Sequence, residues 1–188
     1  MSHRLEDVIA LFDGLFDDTY HTRLVRGDAD PLYLPADDAC PWHRVIFAHG
    51  FYASALHEIS HWCIAGARRR GLEDYGYWYL PDGRDPAQQD DFEAVEVTPQ
   101  ALESLFSCAC GLDFHVSVDN LGGEGEVDRD AFRARVEARA SRFEEVGLPR
   151  RAAAFRATLK AFYRDRRDLD QSLAAGRTEL RASRLAMG

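Results

Sequence analysis

The first segment of the chain repeats apolar residues at intervals of three and four, at Leu5, Val8, Phe12, Leu15 and Phe16. In a helix this spacing places the apolar side chains on one face. The sequence therefore predicts that the chain opens with an amphipathic helix.

Shorter apolar runs follow this segment. Residues 23–35 look extended, and the apolar run 44–48 is typical of a buried strand that ends before Gly50. From 52 to 70 the apolar positions return to helical spacing, and Gly71 is a suitable residue for the C-terminal cap. We therefore expect extended chain and a strand, followed by a second helix.

Two signals for a helix start lie in the middle of the chain. Asp85-Pro86 combines a capping acid with proline at the first helical position, and Thr98-Pro99 repeats this pattern. Apolar residues at helical spacing then continue to Gly111. The pattern predicts either two helices or one helix interrupted at Pro99.

The remaining patterned segments predict strands at 75–80 and 114–118 and helices at about 129–145 and 150–163. Together with the earlier elements they predict an α+β fold, in which helices pack on a small mixed sheet. A single domain over residues 1–163 would contain all of these elements. The charged, weakly patterned residues 164–188 predict a flexible C-terminal tail.

Composition narrows the class of protein. With 188 residues and 46% hydrophobic composition, the chain can bury one core. No run approaches the about 20 apolar residues of a membrane-spanning helix, and the charged N-terminus lacks the apolar centre of a signal peptide. Four cysteines without export features do not indicate a disulfide framework. These features predict a cytoplasmic protein with no membrane partner.

The charge balance bears on partners. There are 32 acidic and 23 basic residues, which give a formal net charge of −9. This excess opposes nonspecific contact with nucleic acid, because phosphate repels acidic groups. It favours a cationic substrate or partner.

The strongest chemical signal is the run His57-Glu58-Ile59-Ser60-His61. Histidines four apart on a helix project from one face, so both imidazoles can bind one ion. Glu58 lies beside them, close enough to handle a proton. The run predicts a mononuclear metal site, and the alternative is a pair of ordinary, partly buried histidines.

A catalytic ion needs a third protein ligand. The extended zinc-peptidase pattern would require glycine and histidine where the chain has Ile64 and Ala67, so only peptidases with that extended pattern are excluded. We expect Glu96 as the third ligand, and Glu93 is the alternative. If Glu96 is the ligand, Glu93 and His49 are outer residues that support the site. Glu93 shares a stripe with Glu96, and His49 just precedes the motif helix.

Two histidines and a carboxylate leave the reaction open. The same ligands serve zinc hydrolases and non-haem iron(II) oxygenases. A zinc metallopeptidase, another metal-dependent hydrolase such as a nuclease, and a metal-stabilised binding module remain alternatives.

At these residues the sequence resembles the bacterial elongation factor P hydroxylase family. The resemblance covers roughly residues 4–163. The matching blocks are Tyr33-Leu34-Pro35-Ala36-Asp37, Phe47-Ala48-His49-Gly50-Phe51-Tyr52-Ala53-Ser54, the continuous run from His57 to Gly66, Gly76-Tyr77-Trp78-Tyr79, Pro81-Asp82-Gly83-Arg84-Asp85, and Val95-Glu96-Val97 with Pro99-Gln100-Ala101-Leu102.

The resemblance implies an oxygen-dependent hydroxylase that modifies the β-lysyl-extended lysine of elongation factor P. It implies a fold similar to that of a bacterial metal-dependent endoribonuclease. It also implies an Fe(2+) site at His57, His61 and Glu96, where another divalent metal can replace iron in purified protein. Under this reading Glu58 is the catalytic residue, which orients a ligand or manages protons during oxygen activation. The residues expected to contact the substrate are Tyr52, Ser60, Tyr79, Asp82 and Arg84.

Overall fold

The first helix provides the apolar base of the fold. The computed structural model describes residues 2–77, 82–118, 121 and 127–185, with side chains described as far as 182. Helix α1 spans Leu5–Tyr20, and Val8, Phe12 and Phe16 of its apolar stripe are fully buried. It ends at His21, whose left-handed backbone lets its N–H bond to Asp17 O. The amphipathic helix expected here is confirmed.

Within the described residues the sheet has three strands, β1 (Thr22–Arg26), β2 (Leu32–Leu34) and β3 (His43–Phe47). Strand β3 lies in the centre, parallel to β1 and antiparallel to β2. The expected α+β fold with a small mixed sheet is therefore confirmed.

Helix α2 is shorter than the sequence suggested. It spans Tyr52–Ile64, whereas the apolar spacing predicted 52–70. Ala65 adopts an extended backbone, and a short 3-10 turn at Arg69–Gly71 follows. Gly71 is therefore not the C-terminal cap of this helix, and the prediction of its end was wrong.

Arginines from two other segments bind the free carbonyl groups at the end of α2. Arg70 donates to Ala65 O at 2.8 Å, and Arg151 donates to Cys63 O at 3.1 Å and to Ala65 O. Cations at this end also complement the helix dipole. Arg151 lies over the Trp62 ring with its guanidinium carbon 4.5 Å from the ring centre. These contacts fix the C-terminal end of the helix that carries the histidine motif.

Helix α3 resolves the ambiguity at Pro99. It runs without interruption over Pro86–Cys110, with Pro99 inside it. At its start Asp85 accepts from Gln88 N at 2.9 Å, and the Gln88 side chain accepts from Asp85 N at 3.0 Å. This reciprocal capping box confirms the predicted helix start.

The two additional strands expected from the sequence do not form in the described residues. Glu73–Gly76 is a 3-10 turn in which Asp74 and Tyr75 have positive φ angles of 46° and 58°. Residues 112–118 have no regular secondary structure, and the side chain of Gln100 binds the backbone of Ser117 in place of a neighbouring strand. Aromatic residues and alternation suggested strands, but the described parts of both segments make no backbone ladder with a described strand. Beside β2, the Asp74 carboxylate accepts from Tyr33 N at 2.8 Å in place of a strand neighbour. Residues 78–80 of the first expected strand lie outside the described residues.

The C-terminal third is helical. Helix α4 spans Arg129–Val146 and α5 spans Arg150–Leu159, which continues into a π-helical turn at Lys160–Arg164. Helix α6 follows at Leu169–Leu185. The flexible tail expected at 164–188 is therefore wrong for residues 169–185.

Helix α6 packs closely on α5 and α1. Its Leu173 and Leu180 are buried, and Gly176 allows close approach to α5, because a Cβ there would lie 2.0 Å from Thr158 Oγ1. A glycine at a helix contact adds no apolar residue to the sequence pattern. The pattern of residues 169–185 therefore did not predict a packed helix.

One hydrophobic core joins these elements, from Val8 of α1 to Leu180 of α6. The four cysteines are free, as expected, although Cys108 is exposed while Cys110 is buried. Among the helices that the structure describes, none combines the length and apolar character needed to cross a membrane.

Candidate metal centre

Helix α2 presents the two histidines of the motif to helix α3. They lie one turn apart, and their Nε2 atoms are 3.1 Å from each other. The His61 side chain is 8% exposed and that of His57 is 24% exposed. The helical spacing therefore brings both imidazoles to one point, as the sequence predicted.

Helix α3 adds a carboxylate at the same point. Glu96 is 2% exposed, with Oε1 3.1 Å from His61 Nε2 and Oε2 3.5 Å from His57 Nε2. One donor atom from each of the three residues lies within 4.8 Å of the other two. Within the described ranges no other group of three such residues meets this distance. Two imidazoles and one carboxylate are the donors that zinc and non-haem iron take.

The electrostatics of this cluster join the three side chains. Burial disfavours charge on His57, but the carboxylates of Glu96 and Glu103 outweigh it and raise the pKa of His57 to about 10. Burial likewise opposes ionisation of Glu96, yet His61 and His57 hold its pKa well below the ordinary value. Without a metal ion, the protonated imidazole of His57 supplies the positive charge beside Glu96. A divalent cation bound at this point would supply that charge instead.

Two further residues of α3 bind the cluster from outside. Glu103 Oε2 lies 2.8 Å from His57 Nδ1, and Gln100 Nε2 donates to Glu96 Oε2 at 3.2 Å. Neither residue was predicted from the sequence. Positions 96, 100 and 103 follow one helical face, but the sequence does not show which face of α3 meets α2.

The cluster opens into a cavity of about 610 Å³ between α2, α3 and the segments at 30–31, 74–77 and 115–117. Aromatic rings and His115 form part of its wall. In the described part of the chain, five acidic side chains line it, namely Asp30, Glu58, Asp74, Glu96 and Glu103. A cavity with this lining attracts cationic groups.

Comparison with known proteins assigns the chain to a family. The family model described as elongation factor P hydroxylase matches residues 11–173. A relative from Haemophilus influenzae, named elongation factor P lysine hydroxylase, is 49% identical over 170 residues, which are 90% of this chain and 95% of the relative.

The chain belongs to the elongation factor P hydroxylase family. The resemblance seen in the sequence is therefore confirmed. The family match extends beyond residue 163 into helix α6. This is consistent with α6 forming part of the folded unit.

In this member of the family, Glu58 lies at the wall of the cavity beside the two histidines. Burial raises the pKa of its carboxyl group, and the nearby histidines oppose this rise only in part. Tyr75 lies against the same wall, with its ring parallel to that of His61 and the ring centres 6.4 Å apart. Tyr75 was not among the residues predicted to contact the substrate.

Two of the expected substrate contacts point elsewhere. The Tyr52 hydroxyl donates to Tyr163 Oη at 2.9 Å, and the fully buried Ser60 donates to Leu56 O within its own helix at 2.8 Å. Neither side chain lines the cavity. The geometry gives both a role in packing.

Two further expected contacts, Asp82 and Arg84, also lie outside the cavity lining. Asp82 is exposed and accepts from Leu121 N at 2.8 Å. Arg84 is fully buried, with its guanidinium carbon 3.8 Å from the centre of the Phe92 ring and its Nε 2.8 Å from Gln89 Oε1. The fifth, Tyr79, lies outside the described residues.

The outer residues predicted for the metal site have other neighbours. Glu93 accepts from Gln89 at 3.0 Å and from Arg135 at 3.0 Å, one bond to each carboxylate oxygen. His49 has a positive φ of 51° and lies beside Phe51. Neither lines the cavity, and the contacts expected of them are made by Glu103 and Gln100.

Proposed function

We propose that this protein hydroxylates a lysine side chain of elongation factor P with a divalent metal held by His57, His61 and Glu96. Family membership supports the reaction and the protein substrate. The single observation that carries the metal proposal is the convergence of two imidazoles and a buried carboxylate at the wall of an open cavity.

The donor set fits iron(II). Two histidines and one carboxylate are the ligands of non-haem iron(II) oxygenases, whose remaining coordination positions stay open. Bound iron(II) would supply the activation of molecular oxygen. The same ligands bind zinc, and zinc binds more tightly than iron(II) in the general order of divalent metals. Purified protein is therefore expected to require reloading with iron.

The cavity suits the β-lysyl-lysine side chain expected as substrate. That side chain carries ammonium groups on an aliphatic stem, and the acidic groups of Asp30 and Asp74 face the same space. Tyr77 and Phe92 contribute rings to the wall, and rings of this kind pack against aliphatic stems and ammonium groups. We therefore place the substrate here, in preference to the surface at Tyr52, Asp82 and Arg84.

Glu58 is proposed to hold a proton beside the reacting group. The carboxyl group of Glu58 lines the cavity beside the proposed ligands, so a proton on it would face the bound substrate. Its position next to His57 and His61 places that proton at the cavity wall. A carboxyl group of this kind can deliver or accept a proton during the reaction.

The proposal is tested with protein prepared without oxygen and loaded with iron(II). It is mixed with β-lysylated elongation factor P and a two-electron reductant such as ascorbate, oxygen is admitted, and the product mass is measured. One oxygen atom should enter the substrate, and the other should be reduced to water. We expect the substrate to gain one oxygen atom, and unmodified elongation factor P to react less because it lacks the added ammonium groups.

If the protein were instead a zinc metallopeptidase, the same experiment would give the opposite result. It would cleave peptides when loaded with zinc and would leave the mass of elongation factor P unchanged with iron and oxygen. That combination would overturn the proposed hydroxylation.

A further inference from the structure

The described contacts of His57 distinguish its two ring nitrogens. Nε2 faces His61 and Glu96, at 3.1 Å and 3.5 Å, while Nδ1 faces Glu103 at 2.8 Å. The Glu103 side chain is 11% exposed, so water competes little for this bond. One ring edge thus belongs to the donor cluster and the other to a carboxylate outside it.

We propose that Glu103 is a positioning residue, which holds His57 in the tautomer and ring orientation that metal binding needs. The inference rests on the proposed metal site at His57, His61 and Glu96. A carboxylate at Nδ1 accepts its N–H, and this leaves the Nε2 lone pair directed at the cluster. A neutral imidazole with its proton on Nε2 would present N–H to the cation and could not bind it.

The position of Glu103 separates it from the ligands. Its oxygen contacts Nδ1, while the donor atoms meet on the Nε2 side of the same ring. Glu103 is also absent from the group whose donor atoms lie within 4.8 Å of one another. It therefore acts through His57.

Helix α3 makes this arrangement rigid. Glu96, Gln100 and Glu103 lie on one face of the helix, with Gln100 bound to Glu96 at 3.2 Å and to Ser117 O at 2.7 Å. Helix α3 thus supplies the ligand Glu96 and also the two side chains, Gln100 and Glu103, that bond to Glu96 and His57 from outside. The orientations of His57 and Glu96 therefore both depend on this one helix.

The test measures metal affinity apart from hydroxylation. Metal-free wild type, Glu103→Ala and Glu103→Gln are titrated with cobalt(II), whose absorption spectrum reports its ligands. We expect affinity for cobalt to fall by about 10–100-fold in Glu103→Ala, which is the usual effect of losing an outer partner of a ligating histidine. Glu103→Gln should fall less, because its amide oxygen still accepts from Nδ1.

Asp91→Asn is the matched control. Asp91 is exposed on the same helix and lies outside the cavity lining, so this variant removes a similar charge without touching His57. Its cobalt affinity should equal that of the wild type. Thermal unfolding of the metal-free variants separates a positioning role from a structural one.

Wild-type cobalt affinity in folded Glu103→Ala, with or without a lower unfolding temperature, would overturn the positioning role and leave the proposed function intact. Failure of the wild type itself to bind cobalt would overturn the metal site, and with it both proposals. A selective loss in Glu103→Ala that Glu103→Gln partly restores would support the positioning role.

Discussion

Two helix pairs of this molecule are built in opposite ways. Between α2 and α3 the contact is polar and buried, and His61 and Glu96 meet there with little access to water. Between α5 and α6 the contact relies on small residues, and Gly176 lies against Ala154 and Thr158. The first pair gains its geometry from charge and hydrogen bonds, the second from close approach.

The difference explains what each pair contributes. Buried charged groups must be paired, so the α2–α3 contact specifies the positions of individual atoms. Close packing of small residues specifies only how near two helices lie. We therefore expect changes at α2–α3 to affect metal binding most, and changes at α5–α6 to affect stability most.

The largest effect should come from Glu96→Gln. This variant keeps the shape of the side chain but removes the charged donor, and metal affinity should fall by more than about 100-fold, since loss of an outer partner alone costs 10–100-fold. The measurement is cobalt(II) or zinc(II) titration of metal-free protein.

Glu93→Gln sharpens this comparison, because the two carboxylates are three residues apart on the same helix. Glu93 is paired with Arg135, so its loss should leave metal binding intact. If Glu93→Gln abolished binding while Glu96→Gln did not, the assignment of the third ligand would be reversed.

The same contrast accounts for what could be read from the sequence. His57 and His61 form a spaced motif, and Asp85-Pro86 is a local capping signal, so the elements and two ligands could be predicted. Glu103 had no such signal, because its role depends on which face of α3 meets α2. Helix α6 was missed because its contact uses Gly176, which appears in the sequence as a helix breaker.

The next largest predicted effect is a loss of stability in Gly176→Ala. At an ordinary helix position Gly→Ala stabilises by about 1 kcal/mol. At Gly176 the new Cβ would lie 2.0 Å from Thr158 Oγ1 and 2.8 Å from Ala154 O. We expect Gly176→Ala to lower the free energy of unfolding by about 1–3 kcal/mol, as overpacking does.

Urea unfolding measures this change, and cobalt affinity of the folded variant should stay near the wild-type value. Gln171→Ala is the control, since Gln171 is exposed on the same helix. A Gly176→Ala variant as stable as the wild type would show that α6 does not pack closely on α5.

The smallest effect contrasts a buried carboxylate with a half-buried one. Glu96 has cationic partners and a lowered pKa, whereas Asp13 of α1 has mainly the Leu24 N–H, at 2.8 Å, and burial raises its pKa to about 6. The folded protein therefore binds this proton more tightly than the unfolded chain, whose aspartate titrates near 3.8. Stability from this group is full below about pH 4 and is lost as the pH rises towards 6.

Asp13→Asn keeps an oxygen for the Leu24 N–H but cannot ionise, so it should lack this loss. The unfolding free energy of the variant minus that of the wild type should therefore increase between pH 4 and pH 6.5 and then level off. Urea unfolding at several pH values measures it, and taking the difference removes the titration of other groups. A difference that stays constant over this range would mean that Asp13 is solvated like a surface acid. Burial that Arg23 offsets only weakly, as opposed to burial beside His57 and His61, would then not be what separates these two carboxylates.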